Sequence, residues 1–264
     1  MSQIPKIIHY CWFGKNPKPD LARKCIESWE KYCPDYKIIE WNEDNFDINC
    51  CDYVREAYEA KKWAFVSDVA RLFALVNHGG IYMDTDVELL KPLDAFLVYD
   101  AVSGFEAADR IPTGLMACRK GHPLFVELLR DYDNAHFLKN DGSLDTTTNV
   151  TRITDTCLKH GLRLDNTLQT VYGFTLFPSD YFCPKSHADN VVRKTANTHA
   201  IHWFDGSWMD MDVKKAHARI QKYNRIFGEK TVSIILGITS CVKSEGIVAY
   251  LRKRFCRYIL KKDK

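Results

Sequence analysis

The stretch Gly79-Gly80-Ile81-Tyr82-Met83-Asp84-Thr85-Asp86 decides how the fold of this chain is interpreted. Two glycines end the helical pattern that precedes them, because glycine adopts the left-handed backbone of a helix terminus at low cost. The next three residues form a short apolar and aromatic run that is typical of a buried strand. The stretch therefore predicts a helix, a tight turn, a sheet strand and a carboxylate pair at the end of that strand.

The carboxylate pair predicts a metal site. Asp84 and Asp86 point to the same side of an extended chain, because successive side chains alternate. Open α/β sheets bind ligands beyond the carboxyl ends of their strands, and two hard oxygen ligands suit Mg²⁺ or Mn²⁺ completed by substrate phosphates. A diphosphate leaving group needs such an ion because negative charge builds on it as a sugar bond breaks. The alternative is a solvated acidic turn, since a short Asp-x-Asp sequence also occurs by chance.

The first forty residues carry the pattern of a βαβ unit. The run Ile4–Trp12 is apolar, β-branched and aromatic and predicts a buried strand. The proline-containing stretch 17–20 opens a predicted helix that extends to Trp29, and Tyr36–Trp41 predicts a second strand. Two strands joined through a helix pair in parallel. The sequence thus predicts an α/β fold with a Rossmann-like, mostly parallel central sheet flanked by helices.

The helix predicted before the two glycines, Ala64–Asn77, carries an acid and a base on one face. Asp68 and Arg71 are three residues apart and therefore neighbours on the helix surface. One interpretation is a surface salt bridge, which contributes little to stability. The other is a pair that binds sugar hydroxyls, with the aspartate accepting and the arginine donating hydrogen bonds. The spacing leaves the salt bridge as the simpler interpretation.

The remaining elements follow less regular patterns, and the chain shows no internal repeat and no low-complexity linker. Predicted strands cover 101–105, 114–118, 172–177 and 198–204, and predicted helices cover 54–61, 123–132, 146–160 and 213–227.

Composition is that of an ordinary soluble protein. The 264 residues are 46% hydrophobic and 27% charged, which is enough for one large domain or at most two small ones. The ten cysteines show neither a CxxC pair nor a zinc-site spacing. No secretory signal and no run approaching the length of a membrane span is visible. We therefore expect reduced thiols in a cytoplasmic protein.

The net charge of +3 is unevenly distributed. Residues 250–264 carry seven bases and one acid, so the rest of the chain is mildly acidic. This distribution does not suggest a nucleic-acid binder, whose bases would spread over a binding face. The tail interleaves its bases with aromatic and apolar residues, which predicts a basic amphipathic helix on an anionic membrane surface. The alternative is an ordinary solvated helix. We expect an α/β domain over 1–230 and this helical tail over 231–264.

Three motifs, in order, resemble the family 32 glycosyltransferases. They are the stretch from Ile4 to Gly14 (IPKIIHYCWFG), Ser67-Asp68-x-x-Arg71, and Gly79-Gly80-Ile81-Tyr82-x-Asp84-x-Asp86. The family includes bacterial capsule and polysaccharide enzymes and the yeast initiating outer-chain mannosyltransferase, and the same elements recur in the glucosyltransferase domain of large clostridial toxins. The resemblance covers residues 4–95 and returns at 200–208. It implies a GT-A fold, a nucleotide-sugar donor and retention of anomeric configuration.

The resemblance also implies roles for single residues. Trp12 matches the aromatic residue that stacks on the donor's base, although core packing is the alternative for this side chain. Asp68 and Arg71 match the pair that holds the ribose and the donor sugar. Asp86 matches the acid that binds the metal directly, and Asp84 the acid that reaches the ribose or the sugar and assists at the metal.

The segment Ala200–Trp208 resembles the family's Ile-His-His-Trp-Ala-Gly-Ser-Trp segment. His202 matches the first histidine, a candidate third metal ligand, with a hydrogen-bonded core histidine as the alternative. Ser207 and Trp208 match the pair that closes over the diphosphate. Trp203 stands where the family has its second histidine and Asp205 where it has alanine, so the match is incomplete here.

Together these features predict transfer of a hexose, galactose or glucose, from a UDP-sugar to a saccharide or lipid-linked saccharide. The expected setting is bacterial surface polysaccharide synthesis at the inner face of the cytoplasmic membrane. No residue stands out as a nucleophile, so we expect a same-face displacement, with Glu106 or Asp205 as candidate acceptor-side carboxylates. The alternatives are a GDP-mannose-dependent mannosyltransferase, a nucleotidyltransferase and a non-catalytic carbohydrate-binding relative. A nucleotidyltransferase normally needs a glycine-rich basic loop, and the stretch 14–17 (GKNP) is a poor version of it.

Overall fold

The structure is a computed structural model that describes residues 3–107, 110–206 and 211–236. The chain divides into two compact units. The larger comprises residues 1–186 and 192–208, and the smaller comprises residues 187–191 and 209–264. The domain boundary predicted at residue 230 stays a prediction.

The larger unit is built on a seven-stranded mixed sheet with the strand order β2-β1-β3-β6-β5-β8-β7. Within the described residues five of its strands (β1, β2, β3, β5 and β8) run in one direction, and β6 and β7 run in the other. A second, two-stranded sheet pairs β4 with β9. The strands are β1 (Ile7–Cys11), β2 (Lys37–Trp41), β3 (Gly80–Met83), β4 (Val87–Leu89), β5 (Ala101–Gly104), β6 (Leu115–Cys118), β7 (Gln169–Val171), β8 (Phe174–Phe177) and β9 (Ala200–His202). The predicted α/β class, with its mostly parallel sheet, is confirmed.

Helices cover both faces of this sheet. They are α1 (Asp20–Tyr32), α2 (Asp52–Glu59), α3 (Trp63–His78), α4 (Pro123–Arg130) and α5 (Asn149–Lys159). One buried cluster contains residues of α2 to α5, and the other contains residues of α1 and β4. Strand β3 contributes to both, because its side chains alternate: Tyr82 belongs to the first cluster, and Ile81 and Met83 belong to the second.

The elements predicted from the sequence are found with boundaries shifted by a few residues, whereas β4 and β7 were not predicted. Each of these two strands has three residues, which is too short for an alternating pattern to emerge. The omission of β4 matters for function, because β4 pairs antiparallel with β9 and sets Val87 opposite His202.

A buried histidine fixes the turn that leads into β3. His9 has no exposed surface, and its Nε2 lies 2.8 Å from the carbonyl oxygen of Gly79. The indole N–H of Trp41 donates to His9 Nδ1 at 3.1 Å. One ring nitrogen therefore donates and the other accepts, which requires the neutral ring. Gly79 and Gly80 have φ values of 67° and 100°, a region that favours glycine.

This histidine predicts a loss of stability in mild acid. Burial lowers the pKa of His9 to about 4, below the ordinary value of 6.5. Between these values the unfolded chain binds the proton more strongly, so the free energy of unfolding falls as the pH decreases from 6.5 to 4, by about 3 kcal/mol in all. Urea unfolding across this range should show a flatter pH dependence for His9→Gln than for the wild type. His160→Gln, on the surface, should keep the wild-type slope, and equal slopes for all three proteins would contradict the assignment.

The smaller unit contains α6 (Met211–Phe227), and residues 229–236 are also helical. A C-terminal helical extension was predicted, and this part of it is found. Residues 237–264, which carry most of the predicted amphipathic tail, lie outside the described residues. Within the portion of the chain that is described, no helix is both long and apolar enough to cross a membrane.

Candidate functional site

The two aspartates of the Asp-x-Asp sequence occupy a tight turn between β3 and β4. The backbone N–H of Asp84 donates to the carbonyl oxygen of Gly114 at 2.8 Å, and that of Val87 donates to the carbonyl oxygen of Asp84 at 3.0 Å. Since β3 is a central strand and ends at Met83, the turn lies beyond its carboxyl end. This is the position at which α/β sheets bind their ligands.

The pairing of β4 with β9 brings His202 to the same turn. The backbone N–H of Trp203 donates to the carbonyl oxygen of Asp86 at 2.9 Å. His202 Nε2 then lies 3.3 Å from Asp86 Oδ1, and the backbone N–H of Asp205 donates to Asp86 Oδ2 at 2.8 Å. A residue 116 positions away in sequence is therefore held against the Asp86 carboxylate by regular strand pairing.

The three predicted metal ligands converge. One ligand atom from each of Asp84, Asp86 and His202 lies within 4.8 Å of the other two. Gly114 leaves the room that this requires, because a Cβ atom there would lie 2.7 Å from His202 Cε1. Two carboxylates and an imidazole are a donor set suited to Mn²⁺ and acceptable to Mg²⁺. The residues fit a divalent cation, and their binding of one stays a prediction.

Charge couples Asp86 to His202. Burial alone would raise the pKa of the Asp86 carboxyl, but the facing His202 ring and the Asp205 N–H outweigh it and lower this pKa below its usual value. Burial alone would lower the pKa of His202, but Asp86 raises it well above its usual value. Because only a deprotonated ring nitrogen can coordinate a metal, a cation that binds here must displace the proton on His202.

Asp68 and Arg71 are buried, which contradicts the surface salt bridge that their spacing favoured. Their exposed fractions are 7% and 5%. Arg71 Nη2 lies 3.3 Å from Asp68 Oδ1 and also 3.3 Å from Asp84 Oδ1. The buried guanidinium of Arg71 on α3 therefore bridges Asp68, the predicted sugar-binding acid, and Asp84 in the Asp-x-Asp turn.

Two further contacts hold Arg71 and Asp84 in place. Arg71 Nη1 donates to the carbonyl oxygen of Thr113 at 3.0 Å, and its guanidinium lies 4.6 Å from the ring centroid of Tyr82. The hydroxyl of Tyr82 donates to Asp84 Oδ1 at 2.8 Å. The same oxygen of Asp84 thus accepts from Tyr82 and pairs with Arg71, so the position of Asp84 is fixed. Asp86 is the acid that faces His202.

The environment of Asp68 also involves α5. The backbone N–H of Asn149 donates to Asp68 Oδ2 at 3.3 Å, and its side-chain amide donates to the backbone oxygen of Asp68 at 2.7 Å. Tyr132 donates to Asn149 Oδ1 at 2.6 Å. Burial raises the pKa of Asp68 to about 6 although Arg71 opposes this. Sequence analysis missed Asn149, Tyr82 and Thr113 as members of the site, and a buried asparagine at a helix start gives no signal that sets it apart.

Trp12 follows β1, which neighbours β3 in parallel and therefore ends at the same edge of the sheet. Its ring is half-buried, its indole N–H donates to the carbonyl oxygen of Asn16 at 2.6 Å, and Lys18 Nζ lies 5.9 Å from the ring centroid. The ring is therefore partly accessible while it also packs against the second core cluster, and its stacking on a base stays a prediction.

The other predicted residues divide into two groups. Ser207 and Trp208 lie outside the described residues. Glu106 follows β5, whose carboxyl end lies at the same edge of the sheet as that of β3, and Asp205 contributes its backbone N–H to Asp86. Their roles as acceptor-side carboxylates stay predictions.

The chain matches known proteins over this region. Residues 19–103 match the family described as the glycosyltransferase sugar-binding region containing the DXD motif. Inositol phosphoceramide mannosyltransferase 3 of Schizosaccharomyces pombe is 31% identical over 142 residues, which cover 51% of this chain and 40% of the relative. The uncharacterized glycosyltransferase L373 of Acanthamoeba polyphaga mimivirus is 32% identical over 165 residues, which cover 59% and 62%. The match therefore spans less than two thirds of either relative's length.

Among solved structures, the PaToxG glycosyltransferase is similar with a TM-score of 0.47 and 19% identity, covering 60% of this chain and 70% of that one. The fold and the site described above define an α/β protein with an Asp-x-Asp turn at the carboxyl edge of its central sheet. Over residues 19–103 the chain is therefore similar to the glycosyltransferase sugar-binding region that contains the DXD motif.

Proposed function

We propose that this protein is a metal-dependent, retaining glycosyltransferase that takes a sugar from a nucleoside-diphosphate sugar. The observation that supports this most directly is the convergence of Asp84, Asp86 and His202 beside the buried Asp68–Arg71 pair. This convergence lies at the carboxyl edge of the sheet, and four of these five residues lie within the DXD-containing region. Neither an acidic turn in solvent nor a surface salt bridge would produce it.

The residues divide the work of binding the donor. Asp86 and His202, with Asp84 beside them, would hold the cation, which when bound stabilises negative charge on the diphosphate. Arg71 fixes the position of Asp84. Asp68 is held by Arg71 at one carboxylate oxygen and by the Asn149 N–H at the other. Each of these oxygens can accept a second hydrogen bond, so Asp68 would accept one from a sugar hydroxyl. Fixed groups of this kind act mainly by orienting the reacting sugar.

We propose a same-face displacement as the reaction. The bond between the anomeric carbon and the diphosphate oxygen breaks, and its electron pair leaves with the diphosphate. The oxygen of the acceptor hydroxyl bonds to that carbon on the same face, and its proton passes to a departing phosphate oxygen. A covalent intermediate would need a carboxylate as nucleophile. Asp68 and Asp84 are both ion-paired with Arg71, which makes them poor nucleophiles, so we favour the same-face displacement.

Two donors compete within this proposal. A UDP-hexose, with glucose or galactose, is favoured by the accessible Trp12 ring, whose position resembles that of the stacking residue in UDP-using relatives. GDP-mannose is favoured by the fission yeast relative, whose name describes a mannosyltransferase. We place the UDP-hexose first and propose a saccharide or a lipid-linked saccharide as the acceptor.

We further propose a cytoplasmic location at the inner face of the membrane and a role in bacterial surface polysaccharide synthesis. Exposed apolar side chains on the smaller unit support a membrane contact: Ile226, Phe227 and Ile234 are 59%, 56% and 58% exposed. Bases accompany them on α6, for example Lys222 and Arg225. Flotation of the full chain with anionic and with neutral vesicles tests this contact, and equal recovery with both would contradict it.

The proposal is tested by donor hydrolysis, which needs no acceptor. A panel of UDP- and GDP-sugars is incubated with the full chain in Mn²⁺, in Mg²⁺ and in EDTA. We expect slow hydrolysis of one donor that EDTA abolishes and Mn²⁺ restores. Formation of pyrophosphate from a nucleoside triphosphate and a sugar phosphate would instead identify a nucleotidyltransferase. A protein that neither hydrolyses a donor nor binds a nucleoside diphosphate, with or without Mn²⁺, would contradict the proposal.

A further inference from the structure

A buried lysine lies beside the site, and none of the carboxylates in the described part of the chain forms an ion pair with it. Lys185 is 8% exposed, and its ammonium group donates to the carbonyl oxygen of Trp203. Its Nζ lies 5.2 Å from the ring centroid of the same tryptophan. Within the described residues this ammonium has no carboxylate at ion-pair distance and no other hydrogen-bond acceptor. A buried ammonium destabilises the fold unless a negative charge is paired with it. The position of Lys185 is therefore explained best by an anion that binds next to it.

The position of Lys185 relates it to the candidate cation site. Its anchor, Trp203, follows the candidate ligand His202 directly and donates its own N–H to the carbonyl oxygen of Asp86. Burial lowers the pKa of Lys185, and the charges of Asp86 and Asp205 oppose that effect, so the ammonium senses both carboxylates. The ammonium therefore lies against the short segment that carries the third candidate ligand.

The charges of the site call for an anion once a cation binds. Among its buried and half-buried groups, Asp68, Asp84 and Asp86 supply three negative charges, and Arg71 and Lys185 supply two positive ones. Asp205 is left out of this sum because its side chain is exposed and its charge is screened by water. A divalent cation with a neutral His202 makes this set positive overall. Because like charges repel strongly where water is excluded, an anion near both the cation and the ammonium would relieve the repulsion.

We propose that Lys185 binds the diphosphate of the nucleotide-sugar donor and stabilises the charge that develops on it as it leaves. This inference rests on the proposed function and adds to it a phosphate-binding residue. An ammonium is a point charge with three donors and no acceptor, and toward the described residues Lys185 uses one of its donors. It suits a diphosphate oxygen rather than a sugar hydroxyl.

The test separates this role from a structural one, in which Lys185 only supports the Trp203 backbone. Lys185→Gln keeps a donor for the Trp203 carbonyl but removes the charge, and Lys185→Arg keeps the charge. Lys24→Gln is the matched control, because Lys24 Nζ lies 5.6 Å from the same tryptophan ring but its side chain is 59% exposed and paired with Glu88. Affinities for UDP and UMP are measured on the full chain in saturating Mn²⁺, or for GDP and GMP if guanine is selected.

We expect Lys185→Gln to lose about tenfold to a hundredfold in affinity for the diphosphate and to keep its affinity for the monophosphate within about threefold. Donor hydrolysis should fall at least as much, because the contact strengthens as the leaving group gains charge. Lys185→Arg should retain much of the affinity, and Lys24→Gln should match the wild type. Thermal unfolding and Mn²⁺ affinity of Lys185→Gln should be no lower than those of the wild type, because the substitution removes an unpaired buried charge that also repels the cation.

Several results would overturn the inference. One is a Lys185→Gln variant that binds the diphosphate as the wild type does, and another is equal loss for diphosphate and monophosphate. If that variant does not fold, the test is the rate at which an amine-acylating reagent modifies Lys185 in the wild type. UDP with Mn²⁺ should slow this modification about fivefold more than UMP with Mn²⁺ does. Equal protection by the two nucleotides would overturn the inference. A wild type that binds no nucleoside diphosphate would instead remove the proposed function itself, and this inference with it.

Discussion

Asp86→Asn is expected to lower Mn²⁺-dependent donor hydrolysis by about a thousandfold. The substitution keeps the shape of the side chain but removes the negative charge that faces His202 at 3.3 Å. The substitution also replaces one carboxylate oxygen by an NH₂ group, which is a hydrogen-bond donor and cannot coordinate a cation. The measurement is the initial rate of hydrolysis of the selected UDP- or GDP-sugar, at saturating donor and over a range of Mn²⁺ concentrations.

The control for this prediction is Asp44→Asn, which removes an exposed carboxylate from the loop after β2. It should hydrolyse the donor at the wild-type rate, which would show that a change of net charge alone has no effect. Retention of more than about a tenth of the wild-type rate by Asp86→Asn, at any Mn²⁺ concentration, would argue against a metal ligand at this position.

The structure separates the two acids of the Asp-x-Asp turn in a way that their spacing does not. Both follow β3, but they lie in a turn rather than in the extended chain that the prediction assumed, and Asp84 accepts from Tyr82 and from Arg71 on one oxygen. Asp86 instead faces His202 and the N–H of Asp205. Asp84 is therefore held by the protein interior and Asp86 by the segment that follows β9, which supports the assignment of Asp86 as the main ligand.

Sequence patterns predicted the parts of this fold whose interactions are local. The βαβ unit and the run from α3 through Gly79-Gly80 into β3 are set by hydrophobic periodicity and by glycine conformation, and both are found. The position of His202 depends on pairing between β4 and β9, which are far apart in the chain and three residues long each. Only the resemblance to a family pointed to that histidine.

Lys185 illustrates what local patterns leave out. Its segment has no periodicity, and a lysine is ordinarily exposed. Its burial follows from a contact with Trp203, eighteen residues later, and from the position of that tryptophan against Asp86. Such a contact depends on tertiary structure, which neither composition nor spacing encodes in a readable form.

The Asp68–Arg71 pair shows the same limit in a sharper form. Among the helices that the structure describes, three carry an aspartate three residues before an arginine: Asp20–Arg23 on α1, Asp52–Arg55 on α2 and Asp68–Arg71 on α3. The first pair has side chains that are 98% and 56% exposed, whereas those of the third are 10% and 6% exposed. The spacing is identical, and the difference comes from the packing of α3 against β1, β3 and α4.

This difference predicts a large effect of Arg71→Met on stability. Removal of the guanidinium leaves the buried carboxylate of Asp68 and the half-buried carboxylate of Asp84 without their cation, and the free energy of unfolding should fall by about 3–5 kcal/mol. Arg71→Lys should rescue only part of this loss, because a point charge cannot contact Asp68, Asp84 and the Thr113 carbonyl together. Urea unfolding at pH 7.5 measures all three proteins.

Arg23→Met is the matched control, since it breaks an exposed pair of the same spacing and should lower the free energy of unfolding by less than about 1 kcal/mol.

The pH dependence of stability gives a second test of the same assignment. Asp68 already has a pKa raised to about 6 by burial, and loss of Arg71 raises it further. The folded variant then binds a proton more strongly than the unfolded chain, so its deficit relative to the wild type should shrink as the pH falls from 8 to 5. Equal losses for Arg71→Met and Arg23→Met, or a deficit independent of pH, would mean that the buried cation does not hold these two carboxylates together.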